Sequence, residues 1–132
     1  MALATVRRLP LALSRAAVQD FSVENLMGRE LNSMTIGIIG TGHIGLTTAK
    51  VFNAFGAKVI GYDITQNPAV ENILEYKSLD EVFAEADIIS LHIPLTDDNY
   101  HIINADSIAK MKDGVVIINT ARGAHIDAEA LR

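Results

Sequence analysis

Four short apolar segments constrain the fold of this chain more than any other feature of its sequence. They cover Thr35–Ile39, Lys58–Tyr62, Asp87–Leu91 and Val115–Asn119. Each is rich in β-branched residues and apolar on both faces, as strands buried inside a parallel sheet are. Helical patterns separate the segments, and a weak further strand is predicted at Leu74–Lys77. The sequence therefore predicts an α/β, Rossmann-type doubly wound parallel sheet with helices on both faces.

Three helices are predicted between these strands. The first ends at Gly56 and carries its apolar residues on one face. That face consists of Ile44, Thr48, Val51, Phe52 and Phe55. The second helix begins at Ser78, with Glu81 completing a capping box. The third covers Asn104–Met111 and is followed by a turn at residues 112–114.

Residues 2–17 are predicted to form one amphipathic helix ahead of the α/β domain. Its apolar face consists of Leu3, Val6, Leu9, Leu13 and Ala17. Pro10 predicts a kink, residues 20–33 form a polar connector, and the α/β domain begins at residue 34. A second interpretation stays open for the first nineteen residues. They contain arginine, serine and alanine but no acidic residue, which is also the composition of an organelle transit peptide.

The bulk composition excludes several classes of function. With 132 residues, of which 49% are hydrophobic, the chain can bury the core of one domain. A net charge of −5 gives no broad basic surface for nucleic acid or an anionic membrane. No cysteine is present, which fits a reducing, cytoplasmic location, and the four histidines lack the spacing of a helical metal site. Charged residues and glycines interrupt the apolar stretches, so no transmembrane span is predicted.

A glycine-rich turn joins the first predicted strand to the first of these helices. Residues 40–45 read G-T-G-H-I-G, a G-x-G-x-x-G pattern that is weak evidence alone but specific between a strand and a helix. Gly40 permits the tight turn, Gly42 keeps the space in front of the helix open, and Gly45 lets helix and strand approach closely. The free N–H groups at the helix start can then face a pyrophosphate. A plain β–α turn without a ligand is the structural alternative.

Asp63 follows the second strand, eighteen residues beyond Gly45. At that place a carboxylate can accept hydrogen bonds from both hydroxyls of the adenosine ribose. Its charge repels a 2′-phosphate, and residues 64–67 include no arginine to compensate. The sequence therefore predicts NAD as the cofactor in preference to NADP.

Unusual residues also follow the last two predicted strands. His92, Ile93 and Pro94 come after one of them, and Pro94 restricts its predecessor to an extended conformation that can line a groove. Thr120, Ala121, Arg122 and Gly123 come after the other. In open α/β sheets ligands lie outside the carboxyl ends of the strands. A guanidinium there is suited to binding a small carboxylate through two parallel hydrogen bonds.

These segments resemble a known family. Residues 91–96, 99–104 and 111–123 are similar to the signature of the D-isomer-specific 2-hydroxyacid dehydrogenases, and the D-lactate and D-hydroxyisocaproate dehydrogenase branch looks nearest. The likeness extends over nearly the whole chain. It implies that residues 1–19 form an inter-domain helix, and that residues 34–132 form an NAD-binding Rossmann domain that is incomplete at its C-terminus and lacks its substrate domain.

The resemblance also implies roles for individual residues. Arg122 would hold and polarise the carboxylate and carbonyl of a 2-keto acid. The backbone at His43 and Ile44 would contact the pyrophosphate. The nicotinamide side would be lined by Ile93, Pro94, Asn99, Thr120 and Ala121. His92 is interpreted as a wall or orienting residue, with a catalytic base as the alternative, and His101 and His125 as surface or loop residues.

In the family the proton donor is a different histidine, paired with a glutamate, and both lie beyond position 132. The resemblance therefore implies hydride transfer between NAD(H) and a D-2-hydroxy acid in the full-length enzyme, but no appreciable turnover by this chain alone. In a strand order of 3-2-1-4-5 the last strand would be an exposed edge, which predicts a homodimer or self-association. A non-catalytic NAD-sensing module is the main alternative, and an S-adenosylmethionine-binding domain is a weaker one.

Overall fold

The computed structural model describes residues 1–132 and contains one five-stranded sheet. The strands are β1 (Thr35–Ile39), β2 (Lys58–Tyr62), β3 (Glu75–Tyr76), β4 (Ile88–Leu91) and β5 (Val116–Asn119). Every neighbouring pair is parallel and the order is β3-β2-β1-β4-β5. The predicted Rossmann-type doubly wound sheet is confirmed, and β5 is an edge strand.

Five α-helices accompany the sheet. They are α1 (Ala2–Val6), α2 (Leu9–Ala17), α3 (His43–Ala54), α4 (Leu79–Glu85) and α5 (Ala105–Ile108). The capping box predicted at Ser78 is present, because its side chain accepts from Glu81 N–H and Glu81 in turn accepts from Ser78 N–H. α5 is shorter than predicted and begins at a second capping box, formed by Asn104 and Ser107. None of the helices combines the length and apolarity that a membrane-spanning segment needs.

The core consists of two apolar clusters on opposite faces of the sheet. One contains Ile36 and Ile38 of β1 and receives Ala49 and Phe52 of α3. The other contains Ile39 of β1 and receives side chains of α4. Successive strand residues point to opposite faces, so apolar runs such as Ile38–Ile39 and Ile88–Ile89 supply both clusters at once. This arrangement explains why the strands are apolar throughout instead of alternating.

The apolar face predicted for α3 is not the face that packs on the sheet. Of the five residues assigned to it, only Phe52 is buried, whereas Ile44 is 68% exposed, Val51 51% and Phe55 48%. The buried face is formed by Gly45, Ala49 and Phe52. Its first residue is a glycine because α3 approaches Gly40 too closely for a side chain at position 45. The larger residues are left as an apolar strip on the outside.

The N-terminal segment is two helices rather than one. The break falls at Arg7 and Arg8, where Arg8 adopts φ +52°, so Pro10 lies in the first turn of α2 instead of kinking a continuous helix. Val6 is the only residue of either helix that is buried, and it belongs to the first core cluster. Leu9 and Leu13 of α2 are exposed. α1 is therefore anchored to the domain, while the apolar side of α2 faces solvent.

Asp87 links three segments at the amino ends of the strands, the end of the sheet opposite the glycine turn. It lies just before β4, and its Oδ2 accepts from Thr35 N–H at 2.8 Å. Its Oδ1 accepts from Arg29 at 2.9 Å and from Lys112 at 3.4 Å. Burial alone would raise the pKa of Asp87, but the hydrogen bonds from Thr35 and Arg29 and the charge of Lys112 together hold it below its ordinary value. The start of β1, the connector and the turn before β5 are thus tied to one carboxylate.

His125 was expected at the surface or in a loop, and the structure corrects this. It lies in a 3-10 turn at Gly123–His125, but its side chain is fully buried, and neither ring nitrogen has a hydrogen-bond partner. The backbone explains the burial: Ile103 N–H donates to His125 O at 3.0 Å, and Asp127 N–H donates to Ile103 O at 2.8 Å. These bonds hold the turn against the segment before α5 and direct residue 125 inward.

Replacing His125 with leucine is expected to stabilise the chain. The leucine side chain is similar in size and leaves no buried polar atom without a partner, so the free energy of unfolding should rise by about 1–2 kcal/mol. Urea denaturation followed by circular dichroism measures the change. The control is His101→Leu at a half-buried loop position, which should bring no such gain. A loss of stability in His125→Leu would contradict the absence of partners for its nitrogens.

Candidate cofactor site

The glycine turn lies where β1 ends and α3 begins, and its first glycine is required by geometry. Gly40 has φ +94°, which L side chains rarely adopt. A Cβ at this position would stand 2.7 Å from the carbonyl oxygen of His92. Gly40 N–H also donates to Tyr62 O at 2.8 Å. The turn is therefore packed between the ends of β2 and β4.

The other two glycines of the motif differ in their surroundings: Gly45 is tightly packed, whereas Gly42 borders open space. A Cβ on Gly45 would lie 1.8 Å from the carbonyl oxygen of Gly40, so α3 presses directly on the turn. A Cβ on Gly42 would meet nothing within 4 Å. Gly42 is the N-cap of α3, and the N–H groups of His43, Ile44 and Gly45 donate no hydrogen bond within the chain. Open space and three free donors thus lie together at the positive end of a 12-residue helix.

Asp63 is directed at this turn. It directly follows β2, and its Oδ2 accepts from Thr41 N–H at 2.6 Å and from the Thr41 hydroxyl at 3.1 Å. Its Oδ1 accepts from Thr65 N–H at 3.1 Å. The carboxylate is half-buried, so it is held in place yet open to a ligand.

Three residues that sequence reasoning did not single out hold the same region. The Thr41 side chain is fully buried and its hydroxyl lies 2.6 Å from the phenol oxygen of Tyr76. Tyr76 Oη accepts from Asn67 N–H at 2.7 Å, and Asn67 Nδ2 donates to Thr41 O at 2.9 Å. The only sequence signal was a hydroxyl residue inside the glycine motif. The contribution of β3 depends on its pairing with β2, which no local pattern reveals.

His92 follows β4 and is half-buried. Its Nε2 lies 2.9 Å from the Ser90 hydroxyl. Burial lowers the pKa of His92 from its ordinary value of 6.5, so the imidazole is neutral at pH 7. A neutral ring that is hydrogen-bonded to Ser90 is compatible with a wall or orienting residue. That role of His92 stays a prediction.

Most residues predicted for the nicotinamide side surround one open pocket of about 230 Å³. Its lining consists of Ile44, Leu91, His92, Ile93, Pro94, Thr120, Ala121 and Arg122. Asn99 does not line this pocket, but its Nδ2 donates to Pro94 O at 2.8 Å and its Oδ1 accepts from Thr96 N–H at 2.9 Å. The carboxyl ends of β4 and β5 therefore converge, and Asn99 supports the loop beside them.

Arg122 is exposed at the mouth of this pocket. Asn119 shapes the turn, because its Oδ1 accepts from Ala121 N–H at 3.0 Å and its Nδ2 donates to Arg122 O at 2.7 Å. Of the five N–H donors that a guanidinium carries, one is used, by Nη1 on Ala121 O at 2.9 Å. Arg122 forms no ion pair within the chain, so its charge is available to an anion.

His43 is exposed at the first position of α3, and His101 is half-buried against Tyr100.

Comparison with known proteins places this geometry in a family. The whole chain, residues 1–132, matches the family described as "D-isomer specific 2-hydroxyacid dehydrogenase, NAD binding domain". An aromatic 2-oxoacid reductase of Clostridium sporogenes is 58% identical over 132 residues, which is 99% of this chain and 40% of the relative. A D-lactate dehydrogenase of Lactiplantibacillus plantarum is 50% identical over 127 residues, covering 96% of this chain and 38% of that protein.

Solved structures agree with the sequence relatives. The D-lactate dehydrogenase of Aquifex aeolicus, complexed with NAD and lactic acid, superposes with a TM-score of 0.95 at 44% identity, covering 98% of this chain and 40% of that one. The chain thus spans about two fifths of the length of the relatives it matches. With a family match over every residue, the chain belongs to the D-isomer-specific 2-hydroxyacid dehydrogenases, within their NAD-binding domain.

Proposed function

We propose that this chain binds NAD(H) across the carboxyl ends of its strands and serves the interconversion of a D-2-hydroxy acid and its 2-keto acid, such as D-lactate and pyruvate. The observation that carries the proposal is the placement of Asp63, whose Oδ2 lies 2.6 Å from Thr41 N inside the glycine turn. Ribose recognition and phosphate recognition are thereby set side by side, as a dinucleotide requires.

The residues present fit the cofactor. The pyrophosphate would take the open space at Gly42 and the free N–H groups of His43, Ile44 and Gly45. The adenosine ribose would donate to Asp63. On the nicotinamide side, Ile93, Pro94, Thr120 and Ala121 would exclude water, with Asn99 bracing Pro94. Bound NAD(H) supplies or accepts the hydride.

Arg122 would anchor the substrate. Its unused N–H donors can grip a carboxylate in a bidentate manner and polarise the neighbouring carbonyl, so that the 2-carbon is held beside the nicotinamide. His92 would orient this arrangement as a neutral ring. A module that only senses NAD has no use for a carboxylate anchor at a strand end, so Arg122 favours the dehydrogenase role over that alternative.

Cofactor preference is tested by calorimetric titration of the full chain with NADH and with NADPH. The Asp63 carboxylate should repel a 2′-phosphate, since residues 64–67 bring no cationic side chain near it. We expect NADH to bind at least about tenfold more tightly than NADPH, a difference of about 1.4 kcal/mol.

The matched variant is Asp63→Ala, which removes the charge and the ribose acceptor together. It should weaken NADH binding and reduce the difference between the two cofactors. Equal affinities of the unaltered chain for NADH and NADPH would remove Asp63 from its assigned role, and no binding of either would overturn the proposal.

We also propose a cytoplasmic location and a homodimeric or otherwise self-associating state. Cysteine-free composition is compatible with a reducing compartment. The exposed apolar residues of α2 and α3 and the unpaired edge of β5 support self-association. Sedimentation velocity measures this directly, and a single monomeric species across a wide concentration range would contradict it.

A further inference from the structure

The hydrogen bonds behind Asp63 form a chain whose direction is fixed by its two ends. At one end, the backbone N–H of Asn67 can only donate, and it donates to Tyr76 Oη at 2.7 Å. At the other end, the ionised carboxylate of Asp63 can only accept, and it lies 3.1 Å from Thr41 Oγ1. The two hydroxyls between them are 2.6 Å apart.

Only one arrangement of protons satisfies all three contacts. If the Thr41 hydroxyl gives its single proton to Asp63, the short contact with Tyr76 must be made by the Tyr76 proton. Tyr76 Oη is then free to accept from Asn67. The sequence of donation runs from Asn67 through Tyr76 and Thr41 to Asp63, and bonds aligned head to tail in this way strengthen one another.

We propose that Tyr76 is a positioning residue for NAD recognition, acting through Thr41 to hold the Asp63 carboxylate in its ribose-binding orientation. This inference rests on the proposed function. Tyr76 is half-buried in β3 and has no place in either the glycine turn or the nicotinamide pocket. Its phenol oxygen is linked to Asp63 through the hydroxyl of Thr41, and the Tyr76 side chain also lines the open pocket beside Asp63.

These hydrogen bonds determine which oxygen of Asp63 remains available to the ligand. Each carboxylate oxygen offers two acceptor positions. Both positions on Oδ2 are taken by Thr41, through its N–H and its hydroxyl, whereas Oδ1 has only Thr65 N–H. Oδ1 therefore keeps a free position for a ribose hydroxyl. Without the proton donated by Tyr76, the Thr41 hydroxyl would be free to rotate. Asp63 would then lose the hydrogen bond that this hydroxyl donates to its Oδ2.

Asn67 closes the network from the other side. Its Nδ2 donates to Thr41 O, so the segment that follows Asp63 is fastened to the glycine turn at Thr41 O and to β3 at Tyr76 Oη. Removing the phenol oxygen would leave Asn67 N–H without its acceptor. Besides the backbone N–H groups of Thr41 and Thr65, the orientation of Asp63 is thus supported by one hydroxyl from an edge strand, β3.

The test is a double-mutant cycle on the full chain, with NADH binding followed by its fluorescence. Tyr76→Phe should weaken NADH binding by about tenfold, as expected for losing support of a charged hydrogen-bond acceptor. In the Asp63→Ala background the same change should have almost no further effect, because its route to the ribose is gone. An equal loss in both backgrounds would show a merely structural role and overturn the inference.

Thr41 provides the second test, independent of how Tyr76→Phe folds. Thr41→Val keeps the side-chain shape but removes the hydroxyl, and should reproduce the loss, whereas Thr41→Ser should restore NADH binding. The control is Tyr100→Phe, because the Tyr100 hydroxyl is exposed and makes no hydrogen bond. Unchanged affinity in both Tyr76→Phe and Thr41→Val would overturn the inference while leaving the proposed function intact. Failure of the unaltered chain to bind NADH would instead overturn the proposed function.

Discussion

Replacing Gly45 with alanine is expected to destabilise the chain by about 3 kcal/mol or more, a large fraction of the total stability of a typical domain. The new Cβ would be placed 1.8 Å from the carbonyl oxygen of Gly40, and a backbone atom in a packed turn cannot move aside cheaply. Alanine favours a helix over glycine by about 1 kcal/mol, so the clash outweighs the gain in helix propensity. Thermal and urea unfolding measure the loss.

Gly42→Ala is the matched variant in the same motif and should have the opposite signature. Its Cβ meets nothing within 4 Å, so stability should fall by less than about 1 kcal/mol, the cost of alanine at an N-cap. NADH affinity should nevertheless drop by at least about tenfold, because the methyl group takes the space proposed for the pyrophosphate. A stable, NADH-binding Gly45→Ala variant would contradict the close approach of α3 to the turn.

Removing the carboxylate of Asp87 should cost about 2–3 kcal/mol of unfolding free energy. Asp87→Ala leaves the N–H of Thr35, the first residue of β1, without its partner, and also leaves Arg29 and Lys112 unpaired. The two cations are exposed and contribute little, so most of the loss comes from the Thr35 contact. Urea denaturation at pH 7 measures it.

The pH dependence of this effect has a definite sign. The pKa of Asp87 is lower in the folded chain than its ordinary value of 3.8, so the unfolded chain takes up the proton first as the pH falls. The stabilisation is complete above pH 3.8 and is lost as the pH falls through the lower folded-state pKa. The difference between the unaltered chain and Asp87→Ala should therefore shrink below pH 3.8. Asp113→Asn, at an exposed site without hydrogen bonds, should be neutral throughout, and a deficit as large as that of Asp87→Ala would contradict this account.

Local patterns were sufficient for much of the fold. The sequence predicts the four main strands and the glycine turn, because β-branched apolar runs and a G-x-G-x-x-G motif have strong local meanings. Ser78 was recognised for the same reason, since its capping partner is three residues away. The direction of Asp63 toward the turn was also anticipated.

The sequence predictions fail where tertiary contacts determine which residues are buried and where a helix ends. Hydrophobicity places Ile44 and Val51 on the apolar face of α3, but the face that packs on the sheet is formed by Gly45 and Ala49 together with Phe52. The helix break falls at Arg7 and Arg8, next to the buried Val6, where the helical pattern of residues 2–17 gives no local sign of it. Pro10 does not show by itself where the helix breaks, because proline occurs in the first turn of a helix as well as at a kink.

Two further residues show why part of the site could not be predicted. His125 reads as a surface residue by type, yet the backbone pairing of its turn with Ile103 directs it into the core. Tyr76 is separated from Thr41 by 35 positions and meets it only because β3 pairs with β2. Contacts of this kind depend on strand pairing, and the weak pattern at residues 74–77 carried no information about them.

The fastening of the glycine turn has a thermodynamic consequence. Gly45 packs against Gly40, and Thr41 is held by Asp63, Tyr76 and Asn67, all before any dinucleotide arrives. A turn already immobile in the free protein has little conformational entropy left to lose. Association should therefore proceed without an ordering step in this part of the molecule, and the entropy of binding should be governed by displaced water and by the ligand itself.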